Sequence, residues 1–283
     1  MSSYIAPAEN ISKAWLHTLE HVVEAGGHAI NVVSTVANPL APEDLPIRSA
    51  IDHTLTEGYR HGIRIQSVDT VAGTIFPHDL YADTGLTYRV GIDPEDVAKL
   101  DASAADLYTA YGEMLPILAT DTANSRGTYF GRMVSWPGKA AGGVNQIADR
   151  ITRLRRSFDT NTARRNVEDI AVGGEAEFGD DVVGLQTYAA DDRRERGFPC
   201  LVHVDLTLYQ RRLNMSATYR HQYLVTKAYG NLLGLSRLLG FLAKHTGFEV
   251  GELMVVATFA DAEQGTYTKR GVAELIAAAR TGL

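Results

Sequence analysis

Apolar residues recur near the start of the chain at the three- and four-residue spacings of a helix. Trp15, Leu16, Leu19, Val22 and Val23 make one broad stripe and predict an amphipathic helix from Ile11 to about Glu24. Gly26 and Gly27 end it, and "HAINVVSTVANP" then reads as a strand closed by Pro39. Helical spacing returns around Ile47 to Tyr59, Gln66 to Ile75 and Pro94 to Leu118, with short loops between. "VNQIADRITRLRRSF" predicts a further helix, with Ile147, Ile151 and Leu154 on one side and a solvated face of arginines on the other. "VGGEAEFGDDVVGLQTYAADDRRERG" is polar, acidic and glycine-bearing, and reads as including a loop of some length.

The period then changes from helical to two. After Cys200, Val202, Val204, Leu206 and Leu208 alternate with His203, Asp205 and Thr207, as in a half-buried strand. Leu213, Met215, Ala217 and Tyr219 repeat the alternation, so Gln210 to Arg212 reads as a hairpin connection. "GNLLGLSRLLGFLAKHTG" follows as a core helix; with Ser236, Arg237 and Lys244 inside it, it is too short and too polar for a membrane span. A strand, "GELMVVATFA", and a helix, "KRGVAELIAAAR", complete the pattern. Strands adjacent in sequence with helices packed on them predict an α+β sheet protein, and no boundary divides residues 1–283, so a single domain is expected.

Composition adds a few bounds. A chain of 283 residues is long enough for a large core, and its single cysteine excludes an internal disulfide framework, which points to a reducing cytoplasm. The formal charge of -7 gives no global attraction to nucleic acid but is compatible with a small anionic ligand. "MSSYIAPAENISKAW" lacks a basic segment followed by an apolar core, so neither a secretory signal nor a membrane partner is expected.

Candidate chemistry centres on Cys200, which follows Pro199 at the mouth of a strand. A thiol there is a small hydrophobe in the ordinary case, and a nucleophile where a guanidinium nearby favours the thiolate. "HTLEH", His17 to His21, fits an inverted zinc-peptidase pattern, with two imidazoles on one helix face and Glu20 as base, but no third protein ligand is evident. Two exposed helix histidines are the simpler reading, and no metal is expected. No dinucleotide fingerprint, phosphate loop or nucleophile elbow occurs. "TARR", ending in Arg164 and Arg165, offers paired guanidiniums for a phosphate or simply a polar helix end.

From Cys200 to Gly251 the chain resembles the thymidylate synthase family, which includes pyrimidine nucleotide hydroxymethylases acting on deoxycytidylate, cytidylate or deoxyuridylate. A proline and cysteine pair is followed twenty residues later by Arg220, eleven further on by Asn231 opening a leucine-rich helix, and then by "EVGEL" from Glu249. Upstream, Tyr129 and Trp136 in "YFGRMVSW" are similar to the family's tyrosine and tryptophan segment, "VNQI" to its helix start, and "TARR" to its twin arginines. In "SVDTVAGTIFP", Asp69 stands where the family has a catalytic glutamate.

The resemblance implies a large mixed sheet packed by helices, a homodimer joined through sheet faces, a pyrimidine nucleoside 5′-monophosphate as substrate and 5,10-methylenetetrahydrofolate as one-carbon donor. It implies Cys200 as nucleophile, Asp69 and Tyr129 as further catalytic residues, and Arg220, His221, Asn231, Arg164 and Arg165 as substrate-binding. Tyr223 and Trp136 take cofactor-binding positions. The chemistry suits those residue types. Pyrimidine C5 attacks a one-carbon electrophile only after a thiolate adds to C6. A guanidinium pairs with phosphate, an amide matches the O4 and N3–H edge of uracil, and a carboxylate relays protons through water. An aspartate in place of Asn231 would suit cytosine better; both bases, and both ribose and deoxyribose, stay open.

Departures shift the expected product. His221 replaces the family's serine, Tyr223 a folate-contacting aspartate, and Lys227 and Tyr229 a glycine and a proline. Asp261 and Glu263 stand where a histidine and a tyrosine grip the sugar, and no tryptophan precedes Tyr129. With hydride transfer from folate impaired, water captures the methylene, and a specialised hydroxymethylase is the favoured reading. Reductive methylation of dUMP and a non-catalytic nucleotide-binding descendant are the alternatives.

Overall fold

The computed structural model describes residues 3–63, 65–121, 124, 127–136, 143–160, 185–187 and 199–281. Its elements run β1 (Ser3–Tyr4), α1 (Ile11–Glu24), β2 (His28–Val36), α2 (Leu45–Arg60), α3 (Val68–Gly73), α4 (Pro94–Leu118), α5 (Tyr129–Val134) and α6 (Gln146–Thr160). They continue with β3 (Leu185–Gln186), β4 (Leu201–Tyr209), β5 (Arg212–Tyr219), β6 (Gln222–Tyr223), α7 (Tyr229–Thr246), β7 (Glu249–Asp261) and α8 (Gln264–Arg280). The strands belong to one mixed sheet in the order β1-β2-β7-β5-β4-β3, with β6 pairing β7, and helices pack on it. The chain forms two compact units: Met1–Gly73, Ser216–Arg237 and Gly251–Leu283 make the first, Thr74–Met215 and Leu238–Val250 the second.

In the first unit, β2 runs antiparallel to β7, with His28 opposite Asp261 and Val36 opposite Leu253, while β1 and β6 add parallel. The stripe of α1 is buried as its spacing requires: Trp15, Leu16, Leu19 and Val22 are all at 0% exposure. Asn10 caps the helix by accepting from the Lys13 N–H at 2.9 Å, and the Trp15 indole donates to the Leu224 carbonyl at 2.7 Å. Gly230 lets α7 meet α3 closely, since a Cβ there would lie 2.6 Å from Val71 Cβ and 2.7 Å from the Val68 carbonyl oxygen. Between β6 and α7, Leu224–Ala228 is wound as a π-helix.

The second unit is built on aromatic contacts. Phe76 meets Phe130 and Phe241 at centroid distances of 5.9 and 5.1 Å, and Tyr111 meets Phe130 at 4.8 Å. Asp93 caps α4 by accepting the Glu95 N–H, with Pro94 at its first position. Gln210 and Arg211 turn the hairpin after β4 with φ of 50° and 61°, the left-handed pair that matches strand twist.

Two expectations, the arginine side of α6 and the start of the last helix, are corrected. The arginine side of α6 is not simply solvated: Arg150 is at 0% exposure, its guanidinium brought down to about 10 by burial although Asp149 counteracts this, and Arg155 donates to the His245 carbonyl and to Asp101. The polar stretch after it contains β3 and Thr187; its remaining residues lie outside those described, as does "TARR". The last helix begins at Gln264, but Thr268 at φ 62° and ψ 156° breaks its winding, which is why helical spacing becomes legible only from Lys269.

Candidate functional site

Cys200 lies in the second unit, half-buried and one residue ahead of β4. Its backbone N–H and that of Leu201 donate to the Tyr129 hydroxyl oxygen at 3.3 and 3.4 Å. Tyr129 itself opens α5, where the Thr128 side chain caps the helix by accepting the Gly131 N–H. Burial, reinforced by the adjacent Cys200, pushes the Tyr129 phenol up to about 12. It therefore stays neutral, with a proton to donate while its oxygen holds the two backbone groups.

The segment behind the cysteine is fixed by buried polar groups. Thr187 donates its hydroxyl to the Leu201 carbonyl, buried Arg132 donates to the Thr187 carbonyl at 3.1 Å, and Gln146 donates to the Arg132 carbonyl at 3.0 Å. These tie β4 to α5 and α6, so the thiol is carried on rigid elements. Trp136 ends the segment in a two-bond bridge with Val144, at 2.8 and 3.0 Å.

The first unit carries Asp69, Arg220, His221, Tyr223 and Asn231. Asp69 lies on α3 and is held by Arg48 at 2.5 Å and Arg237 at 3.1 Å. Burial raises this carboxyl, but the hydrogen bonds and charges of the two arginines outweigh it and hold it below the usual aspartate range. Arg48 also takes Glu43 and Asp52, and Glu43 accepts from the Tyr229 hydroxyl, so the carboxylate is one member of a network. Asn231 lies in the first turn of α7, next in sequence to the Gly230 that meets α3. Asn231 is at 5% exposure, and its amide makes no hydrogen bond among the described residues.

Arg220 follows β5 and its carbonyl accepts from the Thr258 hydroxyl at 2.6 Å. The His221 ring packs on Tyr223 at 4.3 Å, and Tyr223 keeps 41% of its surface exposed. Glu263, at the sugar-gripping position of the resemblance, is occupied otherwise. Its carboxylate accepts the backbone N–H groups of Val225 and Thr226, both at 2.7 Å, and the Thr226 hydroxyl at 2.8 Å.

Cys200 and Tyr129 are thus brought together in one unit, while Asp69 and Asn231 lie on α3 and α7 of the other; Arg164 and Arg165 lie outside the described residues. Sequence reasoning missed Arg48, Arg237 and Tyr229 as members of the Asp69 network. The i,i+4 spacing of Arg48 and Asp52 was the available signal. In "HTLEH", Glu20 accepts from Arg280 at 2.6 Å, and no group of three or more His, Cys, Asp or Glu among the described residues is placed to hold a metal. Nor is any helix among them long and apolar enough to cross a membrane.

No protein-family model and no curated protein matches the chain. Among solved structures it is similar to a thermostable thymidylate synthase A from Bacillus subtilis, with 12% identity, a TM-score of 0.47, and coverage of 93% of this chain and 84% of that one.

Proposed function

We propose that the protein transfers a one-carbon group from 5,10-methylenetetrahydrofolate to C5 of a pyrimidine nucleoside 5′-monophosphate, and that water completes the reaction to leave a hydroxymethyl group. The observation that carries this reading is the ordered set Cys200, Arg220 and Asn231, with the cysteine half-exposed at a strand mouth and tied to a neutral tyrosine. Cys200 adds to C6, Arg220 takes the phosphate, and the uncommitted amide of Asn231 reads the base edge. Tyr129 donates a proton from its retained hydroxyl.

Folate fits an exposed aromatic surface on which a pterin can stack, and Tyr223 over His221 supplies one; Trp136 is the second position suited to it. The donor supplies the electrophilic carbon, while the chain's own residues hold the nucleotide and move its protons. In the same reading the whole chain works as one domain in a homodimer, with Arg164 and Arg165 reaching the neighbouring copy's phosphate.

One observation favours a second reading. Two arginines hold Asp69 ionised, which suits a structural carboxylate better than a proton store, as in a nucleotide-binding protein without turnover.

Mass spectrometry of UMP, dUMP, CMP and dCMP, each incubated with the donor and the protein, separates these readings. A hydroxymethyl gain on one nucleotide, absent with Cys200→Ala, is the expected result. A methyl gain would replace it with reductive methylation, and nucleotide binding without any mass change would favour the second reading.

A further inference from the structure

On α2 and its C-cap, Ala50, His53, Glu57 and His61 recur at three- and four-residue spacing and so share one face. On α8, beyond the break at Thr268, Gly271, Glu274 and Ala278 do the same, and Tyr267 joins them from before it. The two helices pack on each other within the first unit, and these faces line a cleft of about 640 Å³. That volume lies in the range of sites that hold small organic molecules.

Small residues keep the cleft from filling. A Cβ added at Gly271 would meet only the Thr268 hydroxyl, at 3.5 Å, so this wall has room to spare. Gly58 is the opposite case: a Cβ there would lie 2.5 Å from Ile65 Cδ1 and 3.1 Å from the Tyr267 hydroxyl oxygen. The Tyr267 phenol is thus wedged against α2 with its hydroxyl closed to solvent, and its ring is a fixed part of the lining. Thr268, at φ 62° and ψ 156°, holds a backbone conformation that glycine alone adopts freely, and its hydroxyl accepts the Gly271 N–H at 3.1 Å where the helix restarts. Such a conformation persists where the surroundings over-determine it, as they do at ligand clamps.

The charge in the lining is one-sided. Glu57 and Glu274 enter it, one from each helix, and no lysine or arginine among the described residues does. Each carboxylate has an arginine beside it, Arg60 at 2.5 Å and Arg270 at 2.7 Å, but those side chains are 68% and 88% exposed. Pairs that exposed contribute little and are screened by salt, so neither carboxylate is committed to its arginine. Burial pushes the Tyr267 phenol up to about 12; it stays neutral and presents an aromatic ring that suits a cation. Ala50, Ile63, Leu275 and Ala278 supply apolar surface between the polar groups.

We infer that this cleft binds a small organic cation, a protonated amine on an apolar body, with the body on the apolar surface and the ammonium held by Glu57 and Glu274. The net charge of -7 favours the same sign of ligand. None of the lining residues belongs to the candidate site described above, and the inference does not rest on the one-carbon reading.

The test titrates the full-length protein, labelled at alanine, isoleucine and leucine methyls, with three probes of similar shape: phenethylamine, phenethyl alcohol and hydrocinnamate. Methyl shifts should appear at Ala50, Ile63, Leu275 and Ala278. The amine should bind about tenfold tighter than the alcohol, as two partly exposed charge contacts allow, and the carboxylate probe weakest. Glu57→Gln combined with Glu274→Gln should bring the amine down to the level of the alcohol. Ala278→Phe, at an exposed position, should fill the cleft and weaken amine and alcohol alike. A urea midpoint close to native in each variant separates lost binding from lost fold.

Equal affinity for amine and alcohol, or an amine preference that survives the double substitution, overturns the assignment of a cation. Shifts confined to other methyls, affinities unchanged in Ala278→Phe, or no binding of any probe at millimolar concentration overturn the site itself.

Discussion

Two regions of the first unit handle charge in opposite ways. Around Arg48, one guanidinium gathers Glu43, Asp52 and Asp69, and Arg237 completes Asp69, so charge is answered by charge. At the end of β7, the Glu263 carboxylate is at 8% exposure and is answered by two backbone N–H groups and a hydroxyl. The first arrangement holds side chains; the second holds main chain. An ion-pair cluster tolerates the loss of one member, whereas a carboxylate capping a turn defines where the following helix starts. The residues on either side of that turn are Arg220 and Asn231, so main-chain geometry matters more to the proposed chemistry than the larger charge cluster does.

The contrast breaks most sharply at Glu263. Glu263→Ala leaves two backbone donors and a hydroxyl without their partner, and should cost about 3 kcal/mol in chemical denaturation. Glu263→Gln keeps an acceptor and should cost less. Next comes Gly230→Ala, whose Cβ would meet Val71 and the Val68 carbonyl oxygen; overpacking there should cost about 2 kcal/mol and weaken the grip of Arg237 on Asp69. Arg48→Met should cost about 1 kcal/mol, and added salt should shrink the difference from native, because the partly exposed cluster is screened.

The smallest effect is also the most diagnostic, because the two carboxyls shift in opposite directions. Asp69 is held low, so its contribution is present above the pKa of an unfolded aspartate, about 3.9, and is lost as pH falls through the folded value. Glu263 is held high by burial, against the hydrogen bonds from Thr226 and Val225. As pH falls, the folded state takes up this proton first, so the penalty of the ionised form fades towards the unfolded value of about 4.3. Urea midpoints from about pH 7 to about pH 3 should therefore show the native advantage over Asp69→Asn shrinking with acid. The native advantage over Glu263→Gln should grow instead.

Regular elements were legible where one face alone decided them. The stripes of α1, α2 and α4 gave their positions because their burial repeats at helical spacing, and the alternation from Leu201 to Tyr219 gave β4, β5 and their turn. What escaped depends on neighbours. Arg150 reads as surface in a helical wheel, yet it is enclosed; Leu224–Ala228 has no period of its own and takes its winding from Glu263, far along the chain. At the candidate site, residue type and order singled out Cys200, Tyr129 and Asn231. They did not reveal that two arginines occupy Asp69, since Arg48 and Arg237 lie 21 and 168 residues from it in sequence.

The π-wound turn from Leu224 to Ala228 has a consequence for the length of the chain itself. A π turn holds one residue more than an α turn, and α-helical positions advance by about 100° per residue. Removing one residue from this turn would let the helix relax to ordinary winding, and every side chain beyond it would rotate by about that angle. Asn231 and Arg237 would leave their present directions together. The turn is thus a phase-setting insertion, and a one-residue deletion here would alter the chain more than many substitutions.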